Sequence, residues 1–162
     1  MSKAAEIVAR FEGCRLKAYQ DTAGIWTIGY GHTGRVQPKQ VITREQADLL
    51  LEADLEIARQ KAEKYVMVSL NPDEWAAIIS QAYNLRSYKA LIEHLNKDKE
   101  LYKRKTLLYI YDVKKNKLPG LMIRRTCERL LFEGREWKGI ADELQRNPKV
   151  AYIEQVQKEL FS

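Results

Sequence analysis

The chain has 162 residues, 45% of them apolar, and a net charge of +6 from 28 Lys and Arg against 22 Asp and Glu. That length suits one domain with a sizeable core, and no apolar run approaches the ~20 residues of a membrane-spanning helix. The N-terminal stretch Met1–Glu6 lacks the apolar core of a signal peptide, so the expectation is a protein made in the cytoplasm without one. Cys14 and Cys127 are expected as buried thiols rather than a bridge. His32 and His94 are too few for a histidine-based metal site, and no cysteine–histidine cluster has zinc spacing, so no metal or cofactor is expected.

In chain order, Ala4, Ile7, Val8 and Phe11 fall on one stripe and predict a short amphipathic helix over 3–12, started by Ser2 and ended by Gly13. Glu12 then occupies the last turn, where the helix dipole disfavours a negative charge and so favours an acid that keeps its proton. Residues 16–32 read as hairpin strands around the turn Asp21-Thr22-Ala23-Gly24, with Trp26, Ile28 and Tyr30 alternating with Thr27, Gly29 and Gly31. Strand neighbours point to opposite faces, so one face of the hairpin packs while Thr27 looks out on a cleft. Tyr30 is open to two readings, stacking on a bound ring or packing.

Thr43-Arg44-Glu45-Gln46 is a capping box that opens a long helix, about 44–64, with a stripe of Ala47, Leu50, Leu51, Leu55 and Ala58. Asp54 shares the phase of that stripe. A carboxylate on a buried face wants a partner, and a structural His32–Asp54 pair is predicted between hairpin and helix; His32 as a catalytic base is the alternative. Asn71-Pro72 begins another helix, buried through Trp75, Ile78, Ile79, Ala82 and Tyr83 and ending near Asn84. Asn84 reads either as a helix stop or as a substrate contact. Helices are expected over about 88–95, 98–112 and 121–132, then two more between Glu136 and Phe161, marked by Trp137, Ile140, Ala141 and Leu144 and by Ile153, Val156 and Leu160. The positive charge is concentrated: between Arg86 and Arg125 stand twelve Lys and Arg against four acids, a surface that attracts polyanions.

Glu12, Asp21 and Thr27 are the types a glycosidase needs, one group to deliver a proton and others to hold a water. The pattern Phe11-Glu12-Gly13, Tyr19-x-Asp21, Gly24-x-Trp26-Thr27-Ile28-Gly29-Tyr30-Gly31-His32-Thr33 resembles the active-site region of the phage-type lysozymes, or endolysins (glycoside hydrolase family 24). The resemblance resumes at Ala82-Tyr83-Asn84-Leu85 and at Leu118-Pro119-Gly120-Leu121 with Arg124-Arg125. It implies an α+β, mostly helical, lysozyme-like fold of two lobes with a small antiparallel sheet and a long connecting helix. Residues 1–162 would form one domain, with the sheet in a lobe of about 12–60 and the rest, 1–11 and about 65–162, helical.

The resemblance also implies a muramidase that cuts the β-1,4 bond between N-acetylmuramic acid and N-acetylglucosamine of peptidoglycan. Glu12 would be the general acid, with Asp21 and Thr27 positioning water. Arg124 or Arg125 would reach Glu12 across the cleft, and Tyr30, Asn84, Arg124 and Arg125 are candidate substrate contacts. The spacing argues for inversion. A monomer is expected, with a holin-type membrane partner opening the way to the wall.

The chain departs from the family where Arg86 follows Asn84-Leu85 in place of glycine, and where Tyr111–Lys117 replaces an Arg-Trp pair and a Gly-Gly turn. These departures keep a second reading in view, a non-catalytic wall-binding protein on the same fold. Nucleic acid is not expected as a partner, because the basic segment carries no recognition motif.

Overall fold

In the computed structural model, which describes residues 1–162, eight helices and a two-stranded antiparallel sheet follow one another as α1 (Lys3–Glu12), β1 (Arg15–Gln20), β2 (Trp26–Gly29), α2 (Arg44–Glu63), α3 (Pro72–Asn84), α4 (Tyr88–Lys97), α5 (Lys99–Thr106), α6 (Pro119–Phe132), α7 (Lys138–Arg146) and α8 (Val150–Phe161). The helix starts follow local chemistry. The Ser2 hydroxyl accepts from the Ala5 amide at 3.2 Å, and full capping boxes close on Thr43/Gln46 and Asn71/Glu74, each satisfying amides that the first turn leaves without partners.

β1 and β2 pair through Tyr19 with Thr27 and Gln20 with Trp26, and the hairpin packs on α2. α1 lies on α3, α3 joins α2 to α6, and α7 and α8 both pack on α6. A continuous apolar core runs from Ile7 and Val8 of α1 through Leu51 and Leu55 of α2, Ile78 of α3 and Leu91 of α4 to Leu130 of α6, and on to Leu144 and Ile153 of the last two helices. Cys14 and Cys127 are unbridged, Cys127 buried and Cys14 half-buried. Burial pushes the Cys127 thiol up, well beyond its ordinary range.

Two expectations need correction. The helix expected over 98–112 stops at Thr106. The apolar run Leu107–Tyr111 has helical phase, yet Tyr111 bridges to Lys117 in an extended arm, while the Thr106 hydroxyl is held inside by the Gln81 amide at 2.6 Å. The alternation expected along β2 is also absent: Thr27, Ile28, Gly29 and Tyr30 are all buried. α2 covers one side so closely that a side chain at Gly29 would meet Ala47, and Tyr83 of α3 covers the other by donating to the Tyr30 carbonyl at 2.8 Å. Arg86, which stands where the family has glycine, lies outside the positive-φ region, which holds only Arg35, Lys39 and Lys115 among non-glycines. The glycine's place is taken without strain, because α3 ends on Leu85 in an extended conformation.

Candidate active site

Glu12 ends α1, and Gly13 turns the chain away at once with φ 68°. Its side chain keeps 26% of its surface open and lines a cavity of about 640 Å³ together with Gly31, His32, Thr33, Gly34, Asp54, Ile57, Ala58, Lys61, Ala82, Tyr83 and Asn84. That volume suits a small-molecule-sized portion of a larger substrate.

Beneath Glu12 lies a buried charge network. Arg124 Nη1 donates to Glu12 Oε1 at 2.6 Å, its Nε to Glu128 Oε1 at 3.1 Å, and its Nη2 to the Ser80 carbonyl at 3.3 Å. Arg125 donates through Nη1 to Glu128 Oε2, through Nη2 to Asn84 Oδ1 and through Nε to the Tyr109 carbonyl. The Ser80 hydroxyl completes the shell on Glu128 Oε1 at 2.6 Å. Burial alone would raise the Glu128 carboxyl. The guanidinium of Arg125, then that of Arg124, and the Ser80 hydrogen bond outweigh it and hold Glu128 below the usual carboxylate range. A buried carboxylate between two arginines is the arrangement in which loss of one partner costs most.

These contacts separate the two candidate arginines. Arg124 is the one that reaches Glu12, and it is almost wholly buried. Arg125 has no exposed surface, which removes it as a substrate contact. It orients Asn84 instead by occupying Oδ1, and Asn84 lines the cavity with its Nδ2 amide unpaired within the protein. Tyr30 is likewise removed from the wall: it is buried, and its hydroxyl donates to Asp48 Oδ1 at 2.8 Å. Burial and then the Asp48 bond push the Tyr30 hydroxyl up to about 12. The basic segment does not line the cavity either. Lys61 is the only lysine or arginine on its wall, and two of the charges counted in 86–125 are spent on Glu128.

Asp21 and Thr27 sit on the hairpin. Asp21 Oδ1 accepts from the Ala23 amide at 2.8 Å and the Ile25 amide at 2.9 Å, so the turn fixes its rotamer, while Oδ2 has no partner within the protein. The Thr27 hydroxyl donates to the Ile25 carbonyl at 2.9 Å, which leaves its oxygen as an acceptor only. At 4% exposure Thr27 is less open than the strand pattern predicted, and neither residue is on the wall that carries Glu12.

His32 Nδ1 lies 2.9 Å from Asp54 Oδ2, and its Nε2 lies 2.8 Å from the Gly34 carbonyl. With both ring nitrogens spent on acceptors, the ring ties hairpin to α2 and offers no free nitrogen as a base. Asp54→Ala is expected to cost about 1.5–3 kcal/mol, the worth of a hydrogen bond to a charged group, and to lower Tm by roughly 5 °C. An unchanged thermal midpoint would show the pair to be ornamental.

Sequence reasoning missed Glu128, Ser80 and Tyr83. The signal for Glu128 was present: it stands four residues after Arg124 and three after Arg125 on an otherwise apolar helix face, the spacing of helix ion pairs.

Residues 9–128 match the phage lysozyme family. The chain belongs to that family. Membership makes it a lysozyme-type glycoside hydrolase, of the class that degrades peptidoglycan. An endolysin of Acyrthosiphon pisum secondary endosymbiont phage 1 is 34% identical over 137 residues, 78% of this chain and 92% of that protein. Among solved structures, a mutant of P22 lysozyme superposes with a TM-score of 0.72 at 33% identity, covering 82% of this lysozyme and 97% of that chain. The muramidase domain of SpmX from Asticaccaulis excentricus gives a TM-score of 0.74 at 26% identity, over 80% and 93% of the two chains. The lysozyme is therefore mostly helical with one small sheet, as its neighbours are, and the enzyme reading displaces the non-catalytic one.

Proposed function

We propose that this lysozyme cleaves the β-1,4 bond between N-acetylmuramic acid and N-acetylglucosamine, with Glu12 as general acid and Asp21 and Thr27 positioning the water. The observation that carries the proposal is the setting of Glu12: a carboxyl open to the cavity on one side and fixed from below by a buried arginine. Arg124 occupies Oε1, so Oε2 is left to hold the proton for the leaving oxygen. Protonation there preserves the Arg124 bond, since the carbonyl oxygen of a carboxylic acid still accepts. Asp21 Oδ2 is free to orient a water or to face developing positive charge, and Thr27 Oγ1 can accept one of that water's protons. The cleft would lie between a sheet-bearing portion of about 12–60 and the helical remainder, with the Asn84 amide as a substrate contact.

Water attacking from the face opposite the leaving group inverts the anomeric centre, and requires carboxyls roughly 6.5–9.5 Å apart. The same resemblance extends the proposal to a monomeric enzyme that reaches the wall when a holin-type membrane partner opens the path. No helix of the structure is long and apolar enough to cross a membrane.

Mass spectrometry of muropeptides released from purified wall, with anomer analysis at early times, tests this. The expected products end in reducing N-acetylmuramic acid and first appear as the α-anomer. Ends in N-acetylglucosamine would overturn the bond assignment, anhydro ends would overturn hydrolysis, and a retained anomer would move Asp21 to the role of nucleophile.

A further inference from the structure

Between α5 and α6 the chain leaves the body of the enzyme as a short arm, residues 107–118. Its root is firm. Ile110 is buried in the core, the Leu118 amide donates to the Ile110 carbonyl at 2.9 Å, and Tyr111 bridges to Lys117. Its tip is preorganised by Asp112, whose Oδ1 accepts from the Lys114 and Asn116 amides at 2.8 Å each and whose Oδ2 accepts from the Asn116 side chain at 3.0 Å. The Asp112 charge is thus turned inward, and Lys115 closes the turn with φ 64°.

What this frame presents is apolar and cationic together. Val113 is 100% exposed, and Leu108, Tyr111 and Leu118 are exposed as well. Lys117 is paired with Glu154, but Lys114 and Lys115 make no ion pair. No residue of the arm lines the cavity that holds Glu12. Single exposed apolar side chains are ordinary. A valine held fully out by a hydrogen-bonded turn and followed by two unpaired lysines, on an arm with three further exposed apolar side chains, is a surface with a defined complement.

We propose that the 107–118 arm docks the enzyme on an anionic lipid surface, with Val113 entering the headgroup–acyl boundary and Lys114 and Lys115 lying among lipid phosphates. The charge selects an anionic partner. The apolar tip selects lipid over a hydrated wall polymer, because a polyanion in water rewards the lysines and leaves Val113 in water, whereas the boundary of a bilayer takes up both.

Sedimentation of the full chain with vesicles at low salt tests this, comparing phosphatidylglycerol mixed with phosphatidylethanolamine against phosphatidylcholine alone. The enzyme is expected to pellet with the first and not with the second. Val113→Ser, which changes no charge, is expected to lower partitioning on the order of tenfold. Lys114→Ala with Lys115→Ala is expected to lower it about 25-fold, roughly fivefold per lysine at the surface. The pair Lys64→Ala with Lys149→Ala removes the same charge elsewhere and is expected to cost much less.

Equal partitioning of Val113→Ser and wild type overturns the proposal, and so does an equal loss for the two lysine pairs. Retention on a purified wall polyanion that needs the lysines but not Val113, with no vesicle binding, would assign the arm to that polymer instead. An unchanged Tm for Val113→Ser keeps a folding defect from mimicking success, and no outcome depends on which glycosidic bond the cleft cuts.

Discussion

Replacing Glu12 by Gln is expected to slow clearing of a wall suspension by about 10²–10⁴-fold, the usual contribution of a positioned general acid, with little change in Tm. Gln has the size of Glu and keeps an oxygen for Arg124 Nη1, now 2.6 Å from Oε1, so the geometry survives while the transferable proton is lost. The position is suited to that loss being felt. Glu12 is the only carboxyl on the cavity wall apart from Asp54, and Asp54 is engaged by His32. A variant that keeps more than about a tenth of the wild-type rate would place the proton donor elsewhere and end the role assigned here.

The second large effect is expected one layer down. Glu128→Ala removes the carboxylate that both Arg124 and Arg125 share, leaving buried guanidinium charge uncompensated. The expected cost is about 3–5 kcal/mol, or a fall in Tm on the order of 10 °C for a chain of this size. The pH dependence follows from the same contacts. Because the folded protein holds Glu128 below its ordinary value, its contribution is complete above the unfolded carboxylate range, near pH 4–5, and is lost as pH falls through the lower folded value. The wild type should therefore lose thermal stability below about pH 4. Glu128→Gln should be less stable at neutral pH and should lose less on acidification, since its group cannot titrate. A wild-type Tm that is flat from pH 7 to 3, or a Glu128→Gln protein as stable as wild type at pH 7, would contradict the account.

Reading the chain alone reached the elements with local causes. Ser2, Thr43, and Asn71 with Pro72 start helices through their own side chains and neighbours, so the starts of α1, α2 and α3 were visible in short windows. The Glu12, Asp21 and Thr27 candidates were visible for a similar reason, since they lie within sixteen residues of one another. What was not legible depends on contacts distant in sequence. Thr27 looked open and Tyr30 was left between stacking and packing because alternation along a strand assumes one open face, and here α2 and Tyr83 close both. Arg124 and Arg125 could not be told apart by period, because each fits the helix. Only Glu12, more than a hundred residues earlier, and Asn84 show which guanidinium points where. The end of α5 was missed because Leu107–Tyr111 has the right phase for a helix and is used as an arm.

The family match ends at residue 128, yet the helix carrying both arginines is fastened from beyond that point. Gln157 of α8 donates to the Thr126 hydroxyl at 2.9 Å, and Arg135 reaches the Leu160 carbonyl at 3.0 Å. A chain trimmed to the recognisable portion would keep every residue given a role in the proposed chemistry but lose the contacts of α7 and α8 with α6. The shortest polypeptide expected to keep α6 packed on both sides therefore extends into α8, past the residues that mark the family.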